Sequence, residues 1–340
     1  MALPYWRPDR HADRRPLLLA RNRVKQGLRR WFEDQGFVEV ECGAVQRSPG
    51  NETHLHAFET RWQPEGGAPA PRYLHTSPEF AAKKLLAAGE TRIVDFARVY
   101  RNGETGPLHT PEFTMIEWYR AHADYAAVMA DSVALVRAAL AASGRPLLRW
   151  RDQSCDPGLP AEELTLVEAF HRHAGMDLEA LLDDRDALAA AAVARGITVR
   201  DDDDWSDLFS RIIVLLVEPN LGQGRLTLLK DYPIAEAALA RPHAADPRFA
   251  ERFEMYACGV ELANGFGELT DAAEQRRRFV ADMDEKERRY GVRYPIDEDF
   301  LTALATMPPA SGGALGFDRL AMLAVGARHI EDVLWTPFPV

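Results

Sequence analysis

Apolar positions near the start of the chain recur at the spacing of an amphipathic helix. Over residues 16–36 they form one stripe, Arg and Lys occupy most other positions, and Gly36 stands where a helix would end. Residues 37–41 then alternate as in a strand. The pattern predicts a long helix followed by a strand, and the stripe consists of Val24, Leu28, Trp31 and Phe32.

A second helix is predicted from Ser77, a typical N-cap residue, with Pro78 at the first helical position and Gly89 at the end. Two strand-like runs follow, 92–101 and 112–120, joined by a polar, glycine-containing loop. They predict an antiparallel hairpin with a long loop.

From about 121 to 217 the pattern is helical, and strand-like runs return at 226–230, 253–263 and 312–317. Strands at both ends around a helical middle indicate one α+β domain, with a mostly antiparallel sheet and a helical insertion over about 121–217. Residues 1–15 are expected to be an N-terminal extension of a domain covering 16–340.

Composition restricts the function classes. The 340 residues are 46% hydrophobic and 27% charged, which excludes disordered and fibrous proteins. The longest apolar run, 212–217, is far shorter than the roughly 18 residues of a membrane span. No export signal is visible at the start, so a cytoplasmic location is expected. A net charge of -11 argues against extensive nucleic-acid binding, and three distant cysteines argue against a disulfide framework.

The second strand of the predicted hairpin carries candidate chemistry. Alternate residues of a strand share a face, so Phe113, Met115, Glu117 and Tyr119 point the same way. A ring, a carboxylate and a phenol in a row suit a ligand pocket, because a buried unpaired carboxylate is costly. An edge strand with a solvated Glu117 is an equally good interpretation of the sequence.

Two acids flank a second motif, ELANGFGEL at 261–269. If Asn264 and Gly265 form a hairpin turn, Glu261 and Glu268 lie opposite each other, about 4.5–5.5 Å apart at Cβ. A cation between them would relieve their repulsion, and Mg²⁺ prefers such ligands. If the strand continues through, the two acids fall on opposite faces and the argument fails. A surface hairpin with two solvated acids is the other alternative.

A glycine-rich strand, GGALG at 312–316, leads into a helix with Asp318 as a candidate N-cap and Arg319 in the first turn. Arginine is unfavourable at a helix N-terminus, so a phosphate partner for Arg319 is expected. Packing glycines with a structural salt bridge are the alternative. Two further residues are weak evidence of a functional site when each is taken alone: Arg101, at the end of a strand, and His109, in a loop.

In chain order these motifs resemble the catalytic core of class II aminoacyl-tRNA synthetases of the lysyl type. The resemblance covers about residues 16–325 and is closest to short paralogues that modify a protein, translation elongation factor P. It rests on TSPEF (76–80), RN-x-E-x-G (101–106), HTPEFTMIEWYR (109–120), ERFEMYACGVELANGFGELTD (251–271) and ALGFDRLAML (314–323).

The resemblance implies a role for each matching residue. Arg101 and Arg319 would be catalytic, and Ala314 would influence specificity, because its methyl group could favour a β-amino acid isomer over α-lysine. Glu261 and Glu268 would bind Mg²⁺. The implied ATP site comprises Arg101, Asn102, Gly103, His109, Thr110, Phe113, Glu261, Leu262, Gly316 and Arg319. The implied site for a lysine-type substrate comprises Ser77, Pro78, Glu79, Glu117, Tyr119, Asn264 and Glu268.

The implied reaction is activation of lysine or (R)-β-lysine by ATP as an aminoacyl-adenylate, followed by transfer to a lysine side chain of elongation factor P. A homodimer without an anticodon-binding domain is expected. Gly43, Gly103 and Thr110 depart from the family pattern, which affects expectations about the dimer interface and the adenine contacts. Charging of tRNA and a catalytically inactive regulatory paralogue are the alternative functions.

Overall fold

A computed structural model describes residues 4–339 and is organised around one eight-stranded sheet. The strands are β1 (Val38–Glu39), β2 (Val45–Gln46), β3 (Glu59–Trp62), β4 (Ala70–Leu74), β5 (Arg92–Tyr100), β6 (Glu112–Ala121), β7 (Leu148–Trp150), β8 (Gln153–Cys155), β9 (Glu162–Thr165), β10 (Thr227–Pro233), β11 (Phe249–Ala257), β12 (Val260–Gly267) and β13 (Ala310–Gly316). The α-helices are α1 (Pro8–Asp34), α2 (Glu79–Ala87), α3 (Tyr125–Ser143), α4 (Leu166–Ala169), α5 (Arg185–Val193), α6 (Trp205–Ile212), α7 (Ala272–Tyr290), α8 (Glu298–Leu304) and α9 (Phe317–Val325).

The main sheet has the order β1-β5-β6-β13-β12-β11-β10-β9. Its six central strands pair antiparallel, and only β1 and β9, at the two edges, pair parallel. Helices α1, α3 and α9 pack together against one face of this sheet. The α+β class and the mostly antiparallel sheet are therefore confirmed.

Helix α1 is longer than its hydrophobic stripe predicts. It begins at Pro8 instead of residue 16 and passes through Pro16, so residues 8–15 belong to the helix and not to an extension. The added turns are held from outside the helix, since the buried Arg14 donates hydrogen bonds to the carbonyls of Glu331 and Leu334. Residues 1–3 of the expected extension lie outside the described residues.

The middle of the chain is less uniformly helical than its sequence suggests, since it contains β7, β8 and β9. Helix α3 belongs to the main core, and a second hydrophobic core surrounds α4, α5 and α6. By length and composition α3 could cross a membrane, but more than half of it is buried against the sheet and the neighbouring helices. The compact insertion therefore begins after α3, near β9.

The hairpin predicted at Asn264-Gly265 is wrong. Strand β12 runs through both residues, and the two-residue turn lies earlier, at Cys258-Gly259, between β11 and β12. Both turn residues have positive φ, 55° and 68°, as a type I′ turn requires. The predicted strand over 253–263 is consequently two strands, and Glu261 and Glu268 are not cross-strand partners.

Candidate active site

Strand β6 presents its predicted face to a cleft in the sheet. Phe113 and Met115 line one cavity of about 190 Å³, and Met115, Glu117 and Tyr119 line an adjoining cavity of about 120 Å³. The two cavities also share Glu52, Arg101, Asn264 and Ala314, so they form one cleft with two ends. We call them the nucleotide cavity and the amino-acid cavity, after the roles that the sequence predicts.

Glu117 is a buried acid and not a solvated one, with 3% of its surface exposed. Its two carboxylate oxygens accept hydrogen bonds of 2.6 Å from the Ser77 and Tyr119 hydroxyls. Burial raises the pKa of Glu117 to about 8, the neighbouring Glu79 adds to the increase, and the two hydrogen bonds oppose it. A carboxyl group in this state favours a cationic ligand, which would ionise it.

An internal cation already occupies part of the acidic pocket. Lys83, 1% exposed, lies one helical turn after Glu79 on α2, and its ammonium group contacts both Glu79 and Glu268. The Lys83 Nζ to Glu268 Oε2 distance is 2.6 Å. Burial raises the pKa of Glu268 to about 7 although Lys83 opposes the increase. Lys83 offsets part of the pocket's negative charge, so Glu117 remains the buried acid best placed for a ligand cation.

A β-bulge in β12 places Glu261 on the face of the strand that lines the cleft. Strict alternation would place it on the face opposite Asn264. Met255 of β11 pairs with Ala263 and Tyr256 pairs with Glu261, so Leu262 is an extra residue in β12. The bulge reverses the alternation, and Glu261 joins Asn264 on the wall of the nucleotide cavity. Glu268 lines the other cavity, seven residues along the strand and roughly 20 Å away at about 3.3 Å per residue. The two acids therefore cannot bind one Mg²⁺ together, which corrects the predicted pair.

Basic groups converge at the nucleotide cavity. The Arg319 guanidinium donates hydrogen bonds to the Leu108 and Glu261 carbonyls, each at 3.2 Å, and lies 2.6 Å from His109 Nε2. Burial and the adjacent Arg319 lower the pKa of His109, so the neutral ring accepts this bond. Arg101 lies 5.4 Å above the centre of the Phe113 ring and faces both cavities. Two guanidinium groups and the half-buried Phe113 ring on the wall of one cavity suit a nucleoside triphosphate.

The glycine-rich strand β13 forms the floor shared by the two cavities. Ala314 pairs with Glu117 on one side and Asn264 on the other, and it lines both cavities. Glycine at position 312 allows the Tyr119 ring and the Glu268 carboxylate to pack against the strand, because a Cβ there would lie 2.4 Å from the ring and 2.6 Å from Glu268 Oε1. A Cβ at Gly316 would meet only ordinary contacts, so its absence leaves space for a ligand.

The structure brings most of the predicted site residues together. Lining the nucleotide cavity are Arg101, His109, Thr110, Phe113, Glu261, Leu262, Gly316 and Arg319. Lining the amino-acid cavity are Ser77, Glu79, Glu117, Tyr119, Asn264 and Glu268. Asn102 and Gly103 are exposed outside both cavities, and Pro78 lines a small separate cavity beside Ser77.

Asp318 does not cap helix α9, whose N-cap residue is Gly316. The Asp318 carboxylate is 1% exposed and accepts hydrogen bonds from the Arg21 side chain, at 2.8 and 3.1 Å, and from the Thr114 backbone, at 2.7 Å. It therefore ties α1, β6 and α9 together beneath the nucleotide cavity.

Four further residues of the site escaped the sequence analysis. Lys83 could have been found from its i,i+4 spacing to Glu79. Arg252 and Glu254 alternate along β11 toward the cleft face, but their role depends on the pairing with β12. Glu52 lies in the irregular segment between β2 and β3, which carries no periodic signal.

Glu254 lies nearer to Glu261 than Glu268 does, and its carboxylate accepts hydrogen bonds from Arg252, at 2.7 Å, and from the Tyr256 hydroxyl, at 2.5 Å. It pairs with Asn264, two residue pairs along the ladder from the Tyr256–Glu261 pair and on the same face, and burial together with the Glu254 charge raises the pKa of Glu261. Within residues 4–339 no group of three or more acidic, His or Cys side chains forms a complete metal site. One or two carboxylates completed by phosphate oxygens are the usual arrangement for Mg²⁺, and Glu261 with Glu254 offers it.

The cleft joins a nucleotide cavity to an acidic amino-acid cavity, and it lies on an antiparallel sheet with a glycine-rich central strand. These features define an ATP-dependent catalytic domain that activates an amino acid. The sequence-family model of the class II tRNA synthetases (D, K and N) matches residues 5–340, and the chain belongs to this family.

Among similar proteins are two that bear the name elongation factor P–(R)-β-lysine ligase. The protein from Salmonella arizonae is 39% identical and that from Salmonella paratyphi B is 38% identical. Each comparison spans 333 residues, or 97% of this chain and 96% of the relative. The resemblance inferred from the motifs is thereby confirmed.

Proposed function

We propose that this protein is a ligase that activates lysine or (R)-β-lysine with ATP and transfers it to a lysine side chain of translation elongation factor P. The observation that carries the proposal is the shared cleft, in which Arg101 stands between a cavity lined by Arg319 and Phe113 and a cavity lined by buried acids. The names of the relatives supply the acceptor.

The first step joins the amino acid to the nucleotide. A carboxylate oxygen of the amino acid attacks the α-phosphorus of ATP, the bond from phosphorus to the bridging oxygen breaks, and pyrophosphate leaves. Arg101, which faces both cavities, neutralises charge on the α-phosphate and the carboxylate, and Arg319 holds the outer phosphates. Glu261 and Glu254 would hold Mg²⁺, which neutralises phosphate charge when it is bound.

The second step moves the activated acyl group. The acceptor amine attacks the carbonyl carbon, AMP leaves with the bonding electrons, and the amine loses a proton. The chain needs no covalent nucleophile for this chemistry, because the adenylate already carries the leaving group. The remaining work of the site is to hold both substrates in line.

Intact-mass measurement of the acceptor tests the proposal. Purified protein, Mg·ATP and (R)-β-lysine or L-lysine are incubated with elongation factor P or with total tRNA. A mass increase of one lysyl unit on the protein and none on tRNA is expected, with Arg101→Ala as the inactive control. Charging of tRNA alone would favour the synthetase alternative, and absence of ATP–pyrophosphate exchange with every diamino acid would favour an inactive paralogue.

Ala314 is the proposed determinant of isomer choice. Its methyl group faces both cavities at the point where the amino-acid carboxylate would lie. We expect Ala314→Gly to shift preference toward L-α-lysine, measured by competitive ATP–pyrophosphate exchange with (R)-β-lysine. Equal preference in both proteins would refute this role.

We also propose a homodimer that works in the cytoplasm. Exposed apolar side chains occur on β1 at the edge of the main sheet and on β2 and β3 of a separate three-stranded sheet, namely Val38, Val45 and Trp62. The resemblance implies a dimer interface around Gly43, between β1 and β2. Light scattering during gel filtration measures the mass, and Trp62→Arg should shift it to that of one chain. Fractionation of cells that express the protein tests the location.

A further inference from the structure

Glu52 is a carboxylate at the junction of the two cavities. It lines the nucleotide cavity and the amino-acid cavity together with Arg101, Asn264 and Ala314. Across residues 4–339, no group hydrogen-bonds or ion-pairs with its side chain, although the residue is half-buried. Burial raises its pKa, and Arg101 opposes the increase. An acid in this environment calls for a cationic partner.

The other acids of the amino-acid cavity have partners within the protein. Glu117 accepts from two hydroxyl groups, and Glu79 and Glu268 contact Lys83. Glu52 therefore stands apart as the acid whose charge is available at the end of the cavity next to Arg101.

The backbone that carries Glu52 is held in place from α7. The buried Lys286 ammonium group donates hydrogen bonds to the carbonyls of Glu52, Thr53 and Leu55, at 3.2, 2.9 and 2.6 Å. The Thr53 hydroxyl in turn donates to an Asp282 carboxylate oxygen at 3.0 Å. Four hydrogen bonds to an otherwise irregular segment fix the direction in which Glu52 enters the cleft.

The spacing of the acids matches a diamino acid. Ala314 lines both cavities, as Glu52 and Arg101 do, and Gly312 pairs with Tyr119 and approaches Glu268. These two positions of β13 are two residues, or roughly 7 Å, apart. An extended six-carbon chain covers this separation. When the carboxylate of such a diamino acid contacts Arg101 and its terminal ammonium group lies near Glu117 and Glu268, its second amino group lies beside Glu52.

We propose that Glu52 binds the amino group nearer the substrate carboxylate, whether at the α or the β carbon, and that Lys286 acts as its positioning residue. This inference rests on the proposed function and assigns a residue to the part of the substrate in which lysine and (R)-β-lysine differ. Glu52 and Ala314 would then act on the same feature, one by charge and the other by space.

The test compares Glu52→Gln with the unaltered protein on three ligands: L-lysine, (R)-β-lysine and 6-aminohexanoate, which lacks the second amino group. Loss of one charged hydrogen bond should weaken binding of the two diamino acids roughly 10- to 100-fold. Binding of 6-aminohexanoate should change less than about threefold. Titration calorimetry measures binding directly, and ATP–pyrophosphate exchange gives KM and kcat, of which only KM should change appreciably.

Two further variants separate positioning from general damage. Lys286→Met should raise KM selectively for the diamino acids, whereas Glu90→Gln, an exposed change outside the cleft, should leave all three ligands unaffected. Thermal melting verifies that each variant is folded before the comparison.

Equal losses for 6-aminohexanoate and the diamino acids, or no loss for any ligand, would overturn the assignment of Glu52. If the unaltered protein binds lysine but catalyses no exchange, the proposed function fails, and the calorimetric comparison still decides the role of Glu52.

Discussion

Ionisation of Glu117 should make amino-acid binding strongly pH-dependent. Its pKa is raised to about 8 by burial in the free protein. An ammonium ligand binds the ionised carboxylate, so binding lowers this pKa and releases a proton. Affinity should therefore rise as the pH rises toward 8 and level off above it. The terminal ammonium group of the substrate, with an ordinary pKa of about 10.4, stays charged throughout this range.

The magnitude follows from the ionised fraction of Glu117. With a pKa of about 8, that fraction rises from roughly 3% at pH 6.5 to roughly 75% at pH 8.5. If only the ionised form binds, affinity increases roughly 25-fold, or about 1.9 kcal/mol. Glu268, with a pKa raised to about 7, adds a smaller effect of the same sign at the lower end.

The assay is the KM for L-lysine in ATP–pyrophosphate exchange at half-unit steps of pH, at constant ionic strength and saturating Mg·ATP. Calorimetry in two buffers of different ionisation enthalpy counts the protons released, and about 0.9 per lysine is expected near pH 7 from Glu117 alone. Glu117→Gln should abolish most of the pH dependence and raise KM roughly 10- to 100-fold at pH 8.5. A KM that is flat or rises between pH 6.5 and 8.5, or a full pH dependence in Glu117→Gln, would refute the reasoning.

Three other changes test separate parts of the structure. Arg319→Ala should lower kcat for exchange about 10²-fold or more by removing charge from the outer phosphates, and an unchanged kcat would contradict this role. Gly312→Ala should displace the Tyr119 ring and raise KM for lysine more than KM for ATP in exchange kinetics; proportional changes would argue against a selective effect. Arg21→Ala leaves the buried Asp318 carboxylate without its cation and should lower the free energy of unfolding by about 3–5 kcal/mol in urea titrations. A loss below about 1 kcal/mol would show that the pair behaves like an exposed one.

The face of strand β6 could be predicted because its signal is local. Strict alternation places Phe113, Met115, Glu117 and Tyr119 together whatever the partners of the strand are. Each of the four lines the cleft. What alternation could not show is that the Ser77 hydroxyl, from the start of another element, binds Glu117 and makes it a buried acid.

The misplaced hairpin shows where local turn chemistry fails. Asn264-Gly265 is a favoured turn pair, yet Gly265 serves packing instead, since a Cβ there would lie 2.5 Å from the Phe253 ring on the neighbouring strand. The actual turn uses Cys258 at positive φ, an uncommon choice for a residue with a side chain. Pairing of β12 on both sides decides the register, and no short window of sequence contains that information.

Glu52 illustrates a limit of another kind. The contact that fixes its backbone comes from Lys286, 234 residues later in the chain. Neither residue belongs to a recognisable motif, and the segment between β2 and β3 that carries Glu52 shows no hydrophobic periodicity. Only the packing of α7 against this loop indicates that Glu52 faces the cleft.

The bulge at Leu262 places the two acids of the ELANGFGEL motif in different cavities. Without the extra residue, Glu261 would point away from Asn264 and the nucleotide cavity would lose the Glu261 carboxylate. With it, Glu261 lines the nucleotide cavity, while Glu268, beyond Asn264, lines the amino-acid cavity and contacts Lys83. In the proposed reaction one strand would carry the metal-binding acid and a substrate-binding acid at opposite ends of the cleft, with Asn264 between them where the two cavities meet. Deleting Leu262 should therefore impair ATP binding while the Glu268–Lys83 pair remains, a separation that a hairpin with paired acids would not allow.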